Sequence, residues 1–406
     1  MKIVQEVVTF SRMFDRQLKD LIVRLLKTNP SVVLTGPRQI GKTTLAKQVA
    51  KQFKSVYVDL ENPRDLEQAK DIMVFTERNP DKLIVLDEVQ NLPEIFPAIR
   101  GIIDSGREAG RKHGHFLFLG SASLDLLRQT SESLAGRISH VELSSLNVLE
   151  TGESVLDSLW LRGGFPESLE YGEEESFRWR SNLISTYLER DIPQFGFRVP
   201  AETLRQFWTI LSHNQGCTLN YASLSKSLVT DRRNINRYLD ILVDLLLVRK
   251  LLPWFTNTKK RIVKSPKVYI RDTGILHNLL SIRTEKDLAG HPVYGYSWEG
   301  FVIENIINCL GDNHYYPYFY RTQAGAEIDL LLCKGTTPEV AIEVKLSSNP
   351  GTKKGFDIAC DDLNVKHRLV VYPGKETYYL KKNVLAVPLT ELCKWLGKGG
   401  KGKIGG

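Results

Sequence analysis

A phosphate-binding loop is the strongest chemical signal in the sequence. The residues GPRQIGKT, 36–43, match the pattern GxxxxGK[ST] and lie between an apolar segment and a helical pattern, which is the context such a loop requires. In this pattern, backbone N–H groups wrap a phosphate, the lysine reaches the β- and γ-phosphates, and the hydroxyl binds Mg²⁺. We therefore expect a nucleotide site with Lys42 and Thr43 in the last two roles. Its residues are Gly36, Pro37, Arg38, Gln39, Ile40, Gly41, Lys42, Thr43 and Thr44.

Two acids further along the chain complete this expected site. The apolar segment LIVLDE, 83–88, ends in Asp87 and Glu88. Carboxylates at the end of a buried strand have little structural use, because their desolvation is costly. We predict that Asp87 holds Mg²⁺ through water and that Glu88 polarises the attacking water as a general base. Together with the catalytic Lys42, these residues predict binding and hydrolysis of ATP with Mg²⁺ as cofactor.

Two more polar residues are candidates for the same reaction. Ser121 follows the apolar segment 115–120, where it either orients the lytic water or caps the next helix. Arg137 is either an arginine finger for a neighbouring subunit, which implies a homo-oligomer, or part of a local ion pair with Glu132 or Glu142. The residues alone leave both pairs of alternatives open.

Carboxylates that suit a metal ion recur near the C-terminus. If KGTTPE, 334–339, forms a hairpin turn, then Asp329 lies opposite Glu343, and like charges at that distance need a neutralising partner. A divalent cation such as Mg²⁺ or Mn²⁺ is a suitable partner for hard oxygen ligands. Glu299, on the preceding helix, is the expected third carboxylate, and Lys345 lies on the same strand face as Glu343.

The same residues also allow a purely structural interpretation. Lys345 then pairs with Glu327 across the hairpin, and Asp329 caps a turn. The hairpin in that case needs no metal ion.

Excess positive charge is concentrated in one stretch of the chain. The whole chain carries 55 Lys and Arg against 47 Asp and Glu, a net charge of +8, and residues 201–280 carry 13 against 5. Such a basic region favours a polyanionic partner, most commonly nucleic acid. The segment 231–237 opens a helix whose arginines and asparagines suit base edges and phosphates. The expected DNA-binding residues are Arg232, Arg233, Asn234, Asn236, Arg237, Lys259, Lys260 and Arg261.

The elements that must position these residues divide the chain into five segments. Residues 1–150 alternate apolar runs with helical patterns, which predicts a mostly parallel α/β sheet covered on both faces. Residues 151–200 form a helical connector or lid, and residues 201–280 have the helix-turn-helix and hairpin layout of a winged helix. Residues 285–396 form a second α/β unit, and the basic tail 397–406 is expected to be disordered.

The order of these motifs resembles an AAA-type ATPase family of bacteria and archaea. In that family a P-loop ATPase module precedes a C-terminal region of unknown function that is similar to restriction-type nucleases. The matching segments cover nearly the whole chain. They are TGPRQIGKTTL (35–45), LIVLDEVQ (83–90), LGSAS (119–123) with SLAGR (133–137), GGFPE (163–167), YLERDIPQFG (187–196), GHPVYGYSWEGFVIEN (290–305) and AEIDLLL (326–332) followed by IEVK (342–345).

This resemblance implies a fold class and a set of site residues. The fold is an AAA/ASCE-type parallel sheet, followed by the winged helix and an α/β domain similar to restriction endonucleases. In the PD-(D/E)xK nuclease pattern, Asp329 and Glu343 hold the metal ion and Lys345 orients water or offsets charge on phosphate. The leading acidic residue of the pattern corresponds to Glu299, with Glu304 as the alternative.

Composition excludes several other classes of protein. No apolar run approaches the ~18 residues of a membrane span, and the N-terminus has no signal-peptide core. The 5 cysteines never occur in CxxC spacing, which disfavours a disulfide framework or a cysteine zinc site and favours the cytoplasm. His113 and His115 are expected to lie in a loop before a strand.

Two functions from different classes remain after these exclusions. In the first, an ATPase acts on DNA held by the winged helix, and the C-terminal domain cuts it. In the second, a nucleotide-switched scaffold grips DNA or protein with an inactive C-terminal domain.

Overall fold

The computed structural model describes residues 14–121, 134–194, 197, 199–255 and 262–404. In these residues no helix is both long enough and apolar enough to span a membrane. Along the chain, a parallel sheet with flanking helices precedes a helical region with a hairpin, and a mixed sheet follows.

A five-stranded parallel sheet forms the N-terminal region. Its strands are β1 (Ser31–Gly36), β2 (Ser55–Asp59), β3 (Leu83–Asp87), β4 (Phe116–Ser121) and β5 (Ile138–Glu142). Their order in the sheet is β2-β3-β4-β1-β5, so β4 separates the strand of the phosphate loop from the strand that ends in two acids. The parallel sheet predicted from the apolar runs is confirmed.

Helices cover both faces of this sheet. They are α1 (Leu18–Thr28), α2 (Lys42–Ala50), α3 (Pro63–Ala69), α4 (Ile72–Glu77) and α5 (Phe96–Glu108). Because side chains alternate along a strand, Val32 and Leu34 join one core with α1 and α2, whereas Val33 joins the other with α5. Burial on both faces explains why these strands are continuous apolar runs rather than alternating ones.

A mainly helical region follows the sheet. It begins with α6 (Val148–Thr151), α7 (Leu156–Arg162), α8 (Pro166–Glu170) and α9 (Glu173–Thr186). Helix α9 continues through a π-helical turn, Tyr187–Asp191, into α10 (Ile192–Gln194). Next come α11 (Ala201–His213), α12 (Tyr221–Ser227), α13 (Arg232–Asp244), the antiparallel hairpin of β6 (Val248–Leu251) and β7 (Lys267–Ile270), α14 (Thr273–Leu279) and α15 (Glu285–Gly290).

The glycine pair between α7 and α8 has a packing role. Gly163 has φ of 80°, and a Cβ atom there would lie 2.1 Å from Asp272 Oδ1. The Gly164 N–H donates a hydrogen bond of 2.8 Å to Asp272 Oδ2, while Asp272 Oδ1 accepts one from the Ile275 N–H at the start of α14. The segment GGFP therefore lets the connector backbone approach the N-terminus of α14 closely.

A six-stranded mixed sheet forms the C-terminal region. Its strands are β8 (Tyr315–Arg321), β9 (Glu327–Lys334), β10 (Thr337–Val344), β11 (His367–Tyr372), β12 (Tyr378–Lys381) and β13 (Val384–Pro388), in the order β12-β13-β11-β10-β9-β8. Strands β8, β9 and β10 are antiparallel, whereas β10, β11 and β13 are parallel. The helices are α16 (Tyr294–Cys309), α17 (Lys354–Asp362) and α18 (Leu389–Gly397).

The hairpin of the helical region is short, with 4 residues in each strand. Past Leu251 the chain leaves this pairing and joins β8, where Trp254 N–H donates to the Phe319 carbonyl at 2.7 Å and Phe319 N–H to the Leu252 carbonyl at 3.0 Å. Ile262 forms a further bridge to Thr322. An edge strand has unpaired backbone groups, and this segment satisfies some of those of β8.

The described part of the C-terminal tail, which was expected to be disordered, contacts the mixed sheet and α18. Trp395 Nε1 donates a hydrogen bond of 3.2 Å to the Gly402 carbonyl, and Ile404 packs against the core of the mixed sheet. A buried tryptophan N–H needs an acceptor, and here the glycine-rich backbone supplies it.

Candidate functional site

The phosphate-binding loop lies between β1 and α2, at the carboxyl end of the parallel sheet. Gly41 adopts φ of 96°, which a side chain would disfavour, and α2 begins at Lys42. Lys42 is 5% exposed, and its Nζ donates to the carbonyls of Gly36 at 3.1 Å and Pro37 at 3.0 Å. Burial lowers the pKa of Lys42, and the charges of Glu88 and Asp87 oppose that shift. The loop thus closes around its own lysine.

Asp87 joins the two predicted motifs. Thr43 Oγ1 donates a hydrogen bond of 2.7 Å to Asp87 Oδ2, across 44 residues of sequence. The hydroxyl of Tyr57, on β2, donates to the same oxygen, and burial together with this contact raises the pKa of Tyr57. A hydroxyl and a carboxylate oxygen at this distance are suitable hard ligands for Mg²⁺. The motifs did not identify Tyr57; its alternation with Val56 and Val58 gave no sign of this role.

Glu88 lies immediately after β3 in an unusual backbone conformation. Its φ of 52° is in the left-handed region, which costs a residue with a side chain about 1–3 kcal/mol and is most often found at functional sites. The Glu88 N–H donates to Asp87 Oδ1 at 2.9 Å, and the Gln90 amide donates to the Glu88 carboxylate. The two acids therefore face different directions, with Asp87 toward Thr43 and Glu88 lining the cleft.

The π-helical turn of the helical region contacts the phosphate loop through Arg38. Arg38 Nη1 lies 2.7 Å from Asp191 Oδ1, and Nη2 lies 3.1 Å from Glu61 Oε1. The backbone N–H of Arg38 donates to the Tyr187 hydroxyl at 2.7 Å. Tyr187 and Asp191 belong to YLERDIPQFG, a segment that carried the family resemblance but to which we assigned no role.

The loop forms one wall of a cleft of about 790 Å³. Phe14 and Arg16, and Pro166, Glu167 and Tyr171 around α8, also line it. Arg16 donates to Glu150 Oε1 and to the Ile40 carbonyl, both at 3.1 Å, so it supports the loop. The cleft therefore combines the phosphate-binding loop with both aromatic and charged side chains.

Ser121 and Arg137 do not join this arrangement in the described residues. Ser121 ends β4, but its side chain and the helix predicted for 123–134, apart from Leu134, lie outside the described residues. Arg137 precedes β5 at the amino end of the sheet, where it makes a bidentate ion pair with Asp104 at 2.8 and 2.9 Å. The expected partner Glu142 instead pairs with Arg271, and Glu132 is not described.

The predicted register of the C-terminal hairpin is correct, although the turn differs. A two-residue turn at 335–336 replaces the predicted turn 334–339, and an irregularity between Pro338 and Val340 restores the offset. Ile342 pairs with Leu330, so the next pair would place Glu343 opposite Asp329. The Val344 N–H donates to Asp329 Oδ2 at 3.0 Å.

A buried lysine lies within this acidic cluster. Lys267 Nζ, from β7, lies 3.2 Å from Glu299 Oε1, 3.0 Å from Glu327 Oε1 and 3.7 Å from Asp329 Oδ1. Lys267 is 3% exposed, and the surrounding carboxylates raise its pKa although burial opposes them. Among the described residues, no three His, Cys, Asp or Glu side chains have the arrangement of a metal site.

The remaining residues of the predicted metal site are paired elsewhere. Lys345 Nζ donates to Glu343, its neighbour on the same strand, and not to Glu327 as the structural alternative predicted. The alternative helix acid, Glu304, forms ion pairs with Arg249 and Arg271. Of the predicted metal set, Glu299 and Asp329 contact the buried ammonium group of Lys267, and Glu343 contacts Lys345, so the metal site stays a prediction.

Helix α13 exposes three of the predicted DNA-binding residues near its start. Asp231 caps the helix by accepting from the Asn234 N–H at 2.8 Å. Arg232, Arg233 and Arg237 are exposed, and none of them forms an ion pair within the described part of the chain. Asn234 and Asn236 are half-buried, while Lys259, Lys260 and Arg261 lie outside the described residues.

Three family models match consecutive parts of the chain. An AAA domain matches residues 28–152, and a domain of unknown function (DUF8612) matches residues 153–286. A second domain of unknown function (DUF4143) matches residues 294–392.

Solved structures resemble the chain only distantly. The Walker-type ATPase paby2304 of Pyrococcus abyssi is 15% identical, with 66% of this chain and 96% of that chain covered and a TM-score of 0.47. The Orc1 protein of Aeropyrum pernix in complex with DNA is 13% identical, with 69% and 94% covered and a TM-score of 0.30. Likeness at this level carries no argument about function.

Two mycobacterial proteins are far more similar in sequence. The uncharacterized proteins Rv2008c of Mycobacterium tuberculosis and Mb2031c of Mycobacterium bovis are each 44% identical to the chain over 370 residues. The match covers 91% of this chain and 82% of each relative. With its AAA domain followed by two domains of unknown function, the chain belongs to the same protein family as Rv2008c and Mb2031c.

Proposed function

We propose that the chain binds ATP in the cleft beside the phosphate loop and hydrolyses it. The observation that carries this proposal is the hydrogen bond between Thr43 and Asp87, because it joins two motifs 44 residues apart into one site for Mg²⁺. Lys42 binds the β- and γ-phosphates, and Glu88 polarises the attacking water. Mg²⁺ held by Thr43 and Asp87 supplies positive charge to the phosphate oxygens when it is bound.

ATP binding and turnover by wild type and Lys42→Ala test this proposal. Lys42→Ala removes the ammonium group that binds phosphate, so both ATP affinity and turnover should be lost. The matched control is Lys51→Ala, an exposed lysine just after the same helix, which should behave as wild type. Equal turnover by wild type and Lys42→Ala would place the reaction elsewhere or attribute it to a contaminant.

We also propose that DNA binds to the exposed start of α13, with α11, α12, α13 and the β6–β7 hairpin acting as a winged helix. Three arginines without acidic partners in the described part of the chain support this assignment, since such groups are available to phosphates and base edges. If this winged helix binds a protein instead, replacing these arginines should leave the affinity for DNA unchanged.

For the C-terminal domain we propose that it binds DNA or protein and does not cleave DNA. Lys267 in the midst of Glu299, Glu327 and Asp329 favours this second candidate function over a metal-dependent nuclease. Supercoiled DNA incubated with Mg²⁺ or Mn²⁺ should therefore remain intact. Nicking that Lys345→Ala abolishes, with DNA binding preserved, would restore the nuclease assignment and contradict this one.

A further inference from the structure

Phosphoryl transfer needs positive charge at the γ-phosphate beyond that of the loop lysine and Mg²⁺, and an arginine commonly supplies it. Among the described residues that line the cleft, the arginines are Arg16 and Arg38. Arg16 is 7% exposed, and it is held by Glu150 and by the carbonyls of Ile40 and Ser144. Its guanidinium is thus engaged in supporting the loop from behind.

Arg38 differs from Arg16 in its position and its partners. It belongs to the phosphate loop, and its side chain is 21% exposed. Lys42 Nζ donates to the carbonyls of Gly36 and Pro37, the two residues before Arg38, so both cations lie on the same short loop. The carboxylates of Asp191, Glu61 and Glu88 raise the pKa of Arg38 although burial opposes them. Arg38, Lys42 and Glu88 all line the same cleft.

Asp191 holds the Arg38 side chain through one oxygen. Asp191 Oδ1 lies 2.7 Å from Arg38 Nη1, while the buried Oδ2 has no hydrogen-bond partner in the described part of the chain. Both Asp191 and Tyr187, which accepts the Arg38 backbone N–H, come from the π-helical turn. Such turns are rare and occur frequently at functional sites. This one fixes both the backbone and the side chain of a single loop residue.

Arg137 is placed where it cannot serve the nucleotide of its own chain. The Ser31 N–H donates to the Arg137 carbonyl at the start of β1, whereas the phosphate loop follows the other end of that strand. Five steps along a strand span about 17 Å. The guanidinium of Arg137 is also bound bidentately by Asp104.

We propose that Arg38 is the arginine that stabilises the γ-phosphate of ATP within the same chain, and that Asp191 is its positioning residue. The inference rests on the proposed ATPase function. Without nucleotide, Asp191 and Glu61 hold the guanidinium beside the cleft. In the ATP complex the guanidinium contacts the γ-phosphate oxygens, whose negative charge it stabilises during transfer to water. Water attacks phosphorus, the bond to the β-phosphate oxygen breaks, and the proton of the water passes to Glu88.

Single-turnover hydrolysis and binding of a non-hydrolysable ATP analogue test the role of Arg38. Arg38→Ala should bind the analogue nearly as wild type but hydrolyse ATP ~10³–10⁵-fold more slowly. Arg38→Lys should recover part of the rate, since it keeps the charge but loses the planar fork. The control Arg64→Ala removes an exposed arginine at the start of α3 and should leave the rate unchanged.

A double-mutant cycle tests Asp191 as a positioning residue. Asp191→Asn should lower kcat with little change in KM in the wild-type background. It should have no further effect in the Arg38→Ala background, because its action passes through Arg38. Equal losses in both backgrounds would indicate a merely structural role and overturn the assignment of Asp191.

Three outcomes separate failure of this inference from failure of the ATPase assignment. If Arg38→Ala hydrolyses ATP as wild type while Lys42→Ala is inactive, Arg38 is excluded and the ATPase stands. If Arg137→Ala hydrolyses ATP ~10³–10⁵-fold more slowly than wild type and mixing it with Lys42→Ala restores activity, the catalytic arginine comes from a second copy of the chain. That result would overturn the inference. If wild type is no faster than Lys42→Ala, both proposals fail.

Discussion

Asp87 is the residue on which the geometry of the nucleotide site converges. Its Oδ2 accepts from Thr43 and from Tyr57, and its Oδ1 accepts from the backbone of Glu88. If Mg²⁺ engages the Thr43 hydroxyl, the Tyr57 hydroxyl would remain as the side-chain donor to Asp87 Oδ2, beside the backbone N–H of Glu88 at Oδ1. Partners of this kind tune metal affinity as strongly as many direct ligands do.

Replacing Tyr57 with phenylalanine tests this orienting contact. Tyr57→Phe keeps the ring on β2 but removes the hydroxyl that donates to Asp87. We expect the Mg²⁺ concentration for half-maximal ATPase activity to rise ~10-fold or more. Titration of activity with Mg²⁺ at saturating ATP measures the shift. An unchanged Mg²⁺ requirement would show that Asp87 is oriented without the Tyr57 hydroxyl.

Removal of Lys267 should destabilise the fold. Lys267→Met would leave Glu299, Glu327 and Asp329 close together without their cation, a change that typically costs about 3–5 kcal/mol at a buried pair. Urea unfolding measures the loss, and Lys264→Met, at an exposed position before β7, is the control.

The pH dependence of Lys267→Met has a definite sign. The crowded carboxylates of this variant resist ionisation when folded, so their folded pKa lies above the unfolded value. The unfolded state then binds fewer protons than the folded state. The loss in free energy of unfolding of Lys267→Met relative to wild type should therefore shrink as pH falls from 7 toward 5. A loss of stability that does not change with pH would contradict the charge argument. If wild type binds Mn²⁺ and Asp329→Asn does not, the argument is also contradicted.

The sequence predicted those site residues whose role depends on the local chain. Lys42 and Glu88 lie within motifs whose spacing and flanking strands are visible in one dimension. The ion pairs of Arg38 with Asp191 and of Lys267 with Glu299 join elements that are far apart in the sequence. Exposed surface ion pairs use the same residue types, so composition does not identify these two. For that reason the sequence did not indicate that Lys267 lies beside carboxylates predicted to bind a metal ion.

Helix α13 is the element on which the DNA assignment depends. Its buried stripe of Ile235, Leu239 and Leu242 packs into the core, so the intervening arginines face solvent. Because binding releases counterions from DNA, the affinity of such a surface for DNA falls as the salt concentration rises. In a plot of log affinity against log salt concentration, each phosphate that the protein neutralises adds ~0.9 to the steepness of the slope. The element therefore predicts a measurable salt dependence.

The variant Arg232→Ala, Arg233→Ala and Arg237→Ala tests this surface. We expect weaker DNA binding and a slope of log affinity against log salt that is shallower by up to ~0.9 for each phosphate that the variant no longer neutralises. Fluorescence anisotropy with a labelled duplex at several salt concentrations measures both. Arg24→Ala and Arg64→Ala, exposed arginines on α1 and α3, are the matched control. An unchanged slope would move the DNA surface away from α13.

Elements were predicted well where their pattern was local and poorly where another region competed for them. The apolar runs of β1, β3 and β4 and the capped start of α13 lie where periodicity placed them. The segment after β6 has the composition of a strand, but its backbone pairs with β8 of the mixed sheet. Pattern alone reveals that a strand exists and not which strand it joins.

At the scale of the whole molecule, His277 links three regions through one chain of hydrogen bonds. Its Nδ1 lies 2.8 Å from the Leu161 carbonyl, and its Nε2 lies 2.8 Å from Ser297 Oγ, which also accepts from Trp160. A neutral imidazole satisfies both contacts by donating to the carbonyl and accepting from the serine. Burial lowers the pKa of His277 to about 3.

This histidine predicts a loss of stability in mild acid. In the unfolded chain this histidine binds a proton near pH 6.5, whereas in the folded chain its pKa is about 3. The free energy of unfolding therefore falls as the pH drops from 6.5 toward 3. Between pH 7.5 and 5.5 the wild type should lose about 1 kcal/mol more than His277→Gln. His113→Gln, at an exposed position, should retain the full loss. Urea midpoints that shift equally in all three proteins would refute the linkage.

ATP hydrolysis at the cleft is tested most directly by single-turnover phosphate release from Glu88→Gln. This change keeps the size of the side chain but removes the carboxylate that activates water. We predict that Glu88→Gln binds Mg²⁺ and ATP as wild type does and holds the ATP intact. Glu94→Gln, an exposed acid in the same loop, should release phosphate at the wild-type rate. Phosphate release by Glu88→Gln at the wild-type rate would contradict the site.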